Sequence, residues 1–181
     1  MNQIAQQMKE RNISEYLIYM WQEEELIRAN HCETEEMEVN VISRYPEEQR
    51  SGMREWYGNL ITMMNEEGVR EAGHLQINKN VIINLTELHN ALASSPKFPF
   101  YSAAYFKALP FIVELRNKNG KKDEPELETC FEALYGVLLL RLQRKPISEG
   151  TAKAMEAITS FLSMLANYYD KDRKGELKLD E

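Results

Sequence analysis

The sequence is poor in the residues that staple, extend or punctuate a chain. Two cysteines among 181 residues are too few for a disulfide scaffold, 8 glycines too few for a collagen or a glycine-rich linker, and 6 prolines too few for a polyproline arm. Cys32 and Cys130 stand in no paired motif and suit a reducing compartment. No run approaches the ~20 apolar residues that cross a bilayer; the longest uncharged apolar stretch is Ala133 to Leu140. Met1 to Asn12 is polar and lacks the apolar core of a secretory signal, so a cytoplasmic protein is expected.

Positive charge is also in short supply. Net charge is −7, and a field of that sign repels phosphate backbones and anionic membrane surfaces, which argues against nucleic-acid and membrane partners. The imbalance sits in the first half: residues 1–90 hold 16 acidic against 8 basic side chains, residues 91–181 hold 13 against 14. A basic patch could therefore form only in the second half.

Catalytic and cofactor signatures are missing as well. There is no G-x-S-x-G, G-x-G-x-x-G or G-x-x-x-x-G-K pattern, and no C-x-x-C, H-E-x-x-H or paired Glu-x-x-His spacing. No catalytic residue, metal ligand or cofactor is assigned on these spacings. Asp170, Asp172, Gly175 and Glu181 fall at positions 1, 3, 6 and 12 of a calcium loop, but Lys174 and Lys178 occupy positions 5 and 9, where oxygen ligands are needed. This segment, 170–181, reads as a solvated polar tail.

What is present is a helical period. A composition of 43% hydrophobic and 28% charged residues is that of a globular chain, and one of this length buries roughly 70% of its unfolded surface in a single domain. After Asn12, an N-cap, the residues Ile13, Tyr16, Leu17, Met20, Trp21 and Ile27 share one helical face. Thr34 opens a short acidic helix ending before Pro46, and Met53, Trp56, Tyr57, Leu60 and Met64 mark the next. Leu75, Val81, Ile82, Leu85, Leu88 and Leu92 form another stripe, stopped by Ser94-Ser95-Pro96. The aromatic-rich stretch from Pro99 to Asn117 holds Pro110, which should kink or divide it. Further helices follow Pro125 and Ser148, the former apolar on several faces as a central helix is. No stretch alternates with period two between turn signals. The expectation is an all-α, single-domain bundle (1–181) of six or seven helices.

Four stretches, EYLIYMWQEEELIRA (15–29), GHLQINKNVIINLTELH (73–89), SPKFPFYSAAYFKALPFIVELR (95–116) and CFEALYGVLLLRLQ (130–143), together resemble a bacterial family of unknown function, number 4924. The likeness runs over nearly the whole chain. It implies an all-helical cytoplasmic bacterial protein, and because the family has no assigned activity it transfers no site residue.

Polar residues at apolar positions are the remaining signal. Glu24 falls at the centre of the first long stripe, with Arg28 placed four residues on to pair with it and His31 on the same face. Asn78 and His89 interrupt the stripe of Leu75 to Leu92, and Arg141 interrupts that of the helix after Pro125. If these helices meet, Glu24, Arg28, Asn78, His89 and Arg141 converge on a polar cavity able to hold a small molecule. The plainer reading makes each a satisfied packing residue. The six aromatics between Phe98 and Phe111 serve either the core or an interface. Three functions follow: a non-enzymatic protein-contact module acting as a homodimer, a small-molecule binding module, and an enzyme using a Glu24/His89 pair. The missing catalytic motifs put the first ahead.

Overall fold

The computed structural model describes residues 2–179, and among them the chain is all-helical. Eight α-helices follow in order: α1 Gln3–Arg11, α2 Ile13–Ala29, α3 Thr34–Asn40, α4 Glu47–Glu66, α5 Gln76–Ser94, α6 Pro99–Asn119, α7 Glu126–Leu142 and α8 Glu149–Arg173, with a 3₁₀ turn at Ile42–Arg44. The helical class agrees with the sequence; the count exceeds six or seven because of α1. Its nine residues bury only Ala5, so no apolar stripe announces it, and Asn2 starts it by accepting the Ala5 N–H.

The caps show why the other boundaries fall where they do. Asn12 Oδ1 accepts the Ser14 amide at 2.9 Å and opens α2, and Ser148 Oγ accepts the Thr151 amide at 3.1 Å and opens α8. Gly120, at φ 69°, takes the left-handed conformation that closes α6. Pro110 does not divide that helix, which runs unbroken from Pro99 to Asn119. Pro110 is exposed, so the carbonyl deprived of its N–H partner is on the side where water can serve it.

The chain forms two compact units, Met1–Val81 and Ile82–Glu181, and the division falls inside α5, where no change of composition marks it. In the first unit α2 packs on α1 and α4, around a core holding Leu17, Met20, Trp21, Ile27, Tyr57 and Met64. In the second, α6 packs most extensively on α8 and also on α7, around Tyr101, Ile112, Phe131, Ile158 and Phe161. The α7 helix is less central than its composition implies: Leu127, Thr129, Cys130 and Phe131 are buried, whereas Leu139 and Leu142 reach solvent. Helix α8 continues through Arg173, so the first residues expected in the tail are helical, and Asp170 pairs there with Arg173 at 3.2 Å and Lys174 at 2.6 Å. Glu181, the last position of the calcium-loop pattern, lies outside the described residues. No helix among the described residues is long and apolar enough to cross a membrane.

Candidate functional site

In the first unit the most deeply buried charged residue is Glu24, in the middle of α2. Its Oε1 accepts the Leu75 amide at 2.9 Å and the Asn78 amide group at 2.7 Å, and its Oε2 accepts from His74 Nδ1 at 2.6 Å. A carboxylate offers only acceptors, so Nδ1 carries the proton in this pair. The His74 ring stacks on Trp21, with centroids 4.1 Å apart and planes 10° from parallel, and its side chain stays 25% exposed. Glu24 thus caps the start of α5 and fixes one histidine in both tautomer and orientation.

Arg28 does not pair with Glu24. Its guanidinium donates to the Val69 carbonyl at 3.0 Å and 3.2 Å and to the Gly73 carbonyl, and its ion pair is with Glu25 three residues back. His74, Leu75 and Asn78 already give Glu24 three donors, and Arg28 instead anchors the segment before α5 through its carbonyls. Arg70 anchors the same segment from the other side, donating to the His31 carbonyl at 2.7 Å and to Glu33 at 2.9 Å. His31 itself is exposed and bonded to Glu36 at 2.9 Å, in a left-handed turn (φ 54°) that ends the stripe sequence periodicity assigned it.

The other two residues singled out by the sequence belong to the second unit. His89 is buried on α5 and hydrogen-bonds the Tyr101 hydroxyl at 2.7 Å, among the rings of Tyr105 and Phe161. Burial lowers its pKa and keeps the imidazole neutral, the residual pull of Glu126 notwithstanding. Arg141 is exposed in the last turn of α7, where a cation complements the helix dipole. So Glu24 and Asn78 meet directly and Arg28 serves the adjoining segment, while the imidazole bound to Glu24 is His74 and not the His89 that the enzyme reading requires. His74 escaped the sequence argument because it lies between helices, where no period assigns it a face.

A model of the family described as a domain of unknown function (DUF4924) matches residues 2–176. The chain belongs to the DUF4924 family. No curated protein and no solved structure matches it. Two other surface features of this DUF4924 protein stand out. Glu124, Glu128 and Glu132, four residues apart along α7 and the turn before it, bring one oxygen each within 4.8 Å of one another. The Lys121 ammonium lies 2.8 Å from Glu124 and 2.7 Å from Glu132 and supplies their counter-charge; the pair in turn raises the lysine's pKa.

The second feature is the outer side of α6. Phe106 is 65% exposed and Val113 45%, with Ala103 and Pro110 exposed between and before them. Spacings of three, four and seven residues put all four on one helical face, and Phe100, 82% exposed, stands at its edge. Of the aromatic run, only Tyr101 is fully buried. The run therefore divides between core and surface, which its composition alone could not apportion.

Proposed function

We propose that this DUF4924 protein is a non-enzymatic, cytoplasmic bacterial module that works through protein contacts and pairs with a second copy of itself along α6. The observation that carries this is the exposed Phe106, Val113, Ala103 and Pro110 face, since water contact with two large apolar side chains on one stripe is costly unless something covers them. The occupant follows from the charges beside the stripe. Lys107 and Glu114 flank it seven residues apart, Glu114 also lying 2.6 Å from the Lys118 ammonium within its own helix. An antiparallel copy of α6, related by a two-fold axis near Pro110, sets Phe106 against Val113 and Lys107 against Glu114 twice over. A two-fold contact has to be self-complementary in this way.

Light scattering after size exclusion tests it: the expected mass at tens of micromolar is twice 21.2 kDa. Phe106→Glu should give the single-chain mass. Lys107→Glu and Glu114→Lys should each weaken pairing, and the two together should restore it. A monomer in the wild type, or a dimer indifferent to Phe106→Glu, removes the proposal.

A second reading keeps a small-molecule role for Glu24, Arg28 and Asn78, and the partly exposed His74 favours it. An imidazole held by Glu24 and backed by Trp21 presents an oriented ring edge of the kind ligand sites use. A compound that raises the melting temperature of the wild type and not of His74→Ala would support it; equal shifts in both would end it.

A further inference from the structure

The N-terminal ends of α1 and α4 enclose an open cavity of about 390 Å3 that the readings above leave unused. Its walls include Asn2, Tyr45, Glu48, Gly52, Glu55 and Trp56, and among the described residues none of its lining side chains is a lysine, arginine or histidine. The α4 residues recur at three and four positions, so one helical face supplies two carboxylates, an indole and a glycine to the same space.

Behind this wall the first unit buries further polar groups without completing their bonds. Glu23, adjacent to Glu24 on α2, is buried, and Glu23 Oε2, Trp56 Nε1 and Tyr57 Oη each lack a hydrogen bond of normal geometry although they are near enough to act on one another. Tyr19, which accepts a hydrogen bond from the cavity residue Asn2 at 3.0 Å, belongs to the same group. Burial raises the pKa of Glu23 as well as those of Tyr19 and Tyr57. The cavity is thus faced by aromatic rings and acids, and backed by a carboxyl group that gains from nearby positive charge.

We propose that this cavity binds a small organic cation, an ammonium or quaternary amine, held against the Trp56 and Tyr45 rings with Glu48 and Glu55 as counter-charges. Each alternative class meets an obstacle on the page. An anion would gain from the partial positive charge of two helix N-termini but would meet the full charges of two glutamates and no cationic side chain. A wholly apolar ligand would strip water from two carboxylates and an amide with nothing in return. A cation gains from both wall types, since ring faces carry negative potential and carboxylates carry charge. The volume lies within the range of small-ligand sites and far exceeds that of one water.

The test is an NMR titration of the full-length protein labelled at its tryptophan indoles, with the Trp56 signal assigned through Trp56→Phe. Choline, putrescine and N-acetyl-lysine methylamide are the cations, 3,3-dimethylbutan-1-ol is the uncharged counterpart of choline, and sodium chloride fixes ionic strength. A saturable shift of the Trp56 signal is expected with the cations and none with the alcohol. Tightest binding by the lysine derivative would mark a protein side chain as the source, and tightest binding by choline or putrescine a free amine.

Gly52→Leu is the blocking variant. A Cβ built at Gly52 meets no atom within 4 Å, so α4 admits a side chain at this wall position; leucine should narrow the cavity, and affinity should fall at least ~10-fold at unchanged circular dichroism. Glu48→Gln with Glu55→Gln should weaken cations by roughly 10-fold. The proposal is overturned by an equal response to the alcohol, by wild-type affinity in a folded Gly52→Leu protein, or by the absence of any saturable shift up to tens of millimolar cation.

Discussion

Three donors converge on the Glu24 carboxylate, so truncating it strands the Leu75 amide, the Asn78 amide group and the His74 N–H together inside the first unit. Glu24→Ala should cost about 3 kcal/mol in urea unfolding, the scale of losing a buried, multiply bonded charge partner. Glu24→Gln should cost less than half of that. Its oxygen still accepts from Leu75 and Asn78, and its NH2 can face His74 Nδ1 once the imidazole moves its proton to the other nitrogen. If Gln proves as damaging as Ala, charge and not hydrogen bonding holds the start of α5.

His89 gives a pH dependence of definite sign. Burial lowers its folded pKa below the ordinary value of 6.5, so the unfolded chain takes up the proton first. The neutral ring's contribution to stability is complete above about pH 6.5 and is lost as pH falls through that value toward the lower, folded one. Unfolding curves of the wild type and His89→Gln should therefore converge as pH drops from 7 to 5. Curves that stay parallel would mean the fold does not disfavour His89 protonation.

At the scale of the helix, sequence and structure part company at identifiable places. Caps and stripes made α2, α5, α6, α7 and α8 legible, because a buried helix writes its burial into a period of 3.6. The α1 helix was invisible because it buries one alanine, and the aromatic wealth of α6 concealed that Phe100 and Phe106 face water. Pro110 was expected to kink or divide α6, and it does not divide it. Helix α6 carries the missing hydrogen bond on an exposed side, so Pro110→Ala should raise stability by about 1 to 3 kcal/mol by restoring the bond and removing the ring's clash. Thermal unfolding checks this. A loss of stability on Pro110→Ala would show that the proline ring itself is packed, in the dimer contact or elsewhere.

For the whole molecule, charge and association are the measurable properties. With a net charge of −7 the protein should leave duplex DNA unshifted in a gel at physiological salt. Retardation that fades with salt would instead locate a basic patch in the second half. Pairing through α6 should be the converse case: its Phe106 and Val113 core is apolar, so dissociation should respond strongly to Phe106→Glu and only weakly to added salt.

The sequence by itself determined the helical class, most helix boundaries, the family and the anomaly of Glu24, because these depend on residue order along one helix or on likeness along the chain. Tertiary structure decided the partners. That Glu24 holds His74 and Asn78 while Arg28 turns to the Val69 and Gly73 carbonyls is set by which segments meet, across 41 to 54 positions of chain, and a period of 3.6 carries no information over that distance. The same reason hid Glu23 inside a run of three glutamates. Adjacent helical residues point 100° apart, and only the packing of α2 in its unit turns two of the three, Glu23 and Glu24, inward while Glu25 stays near water.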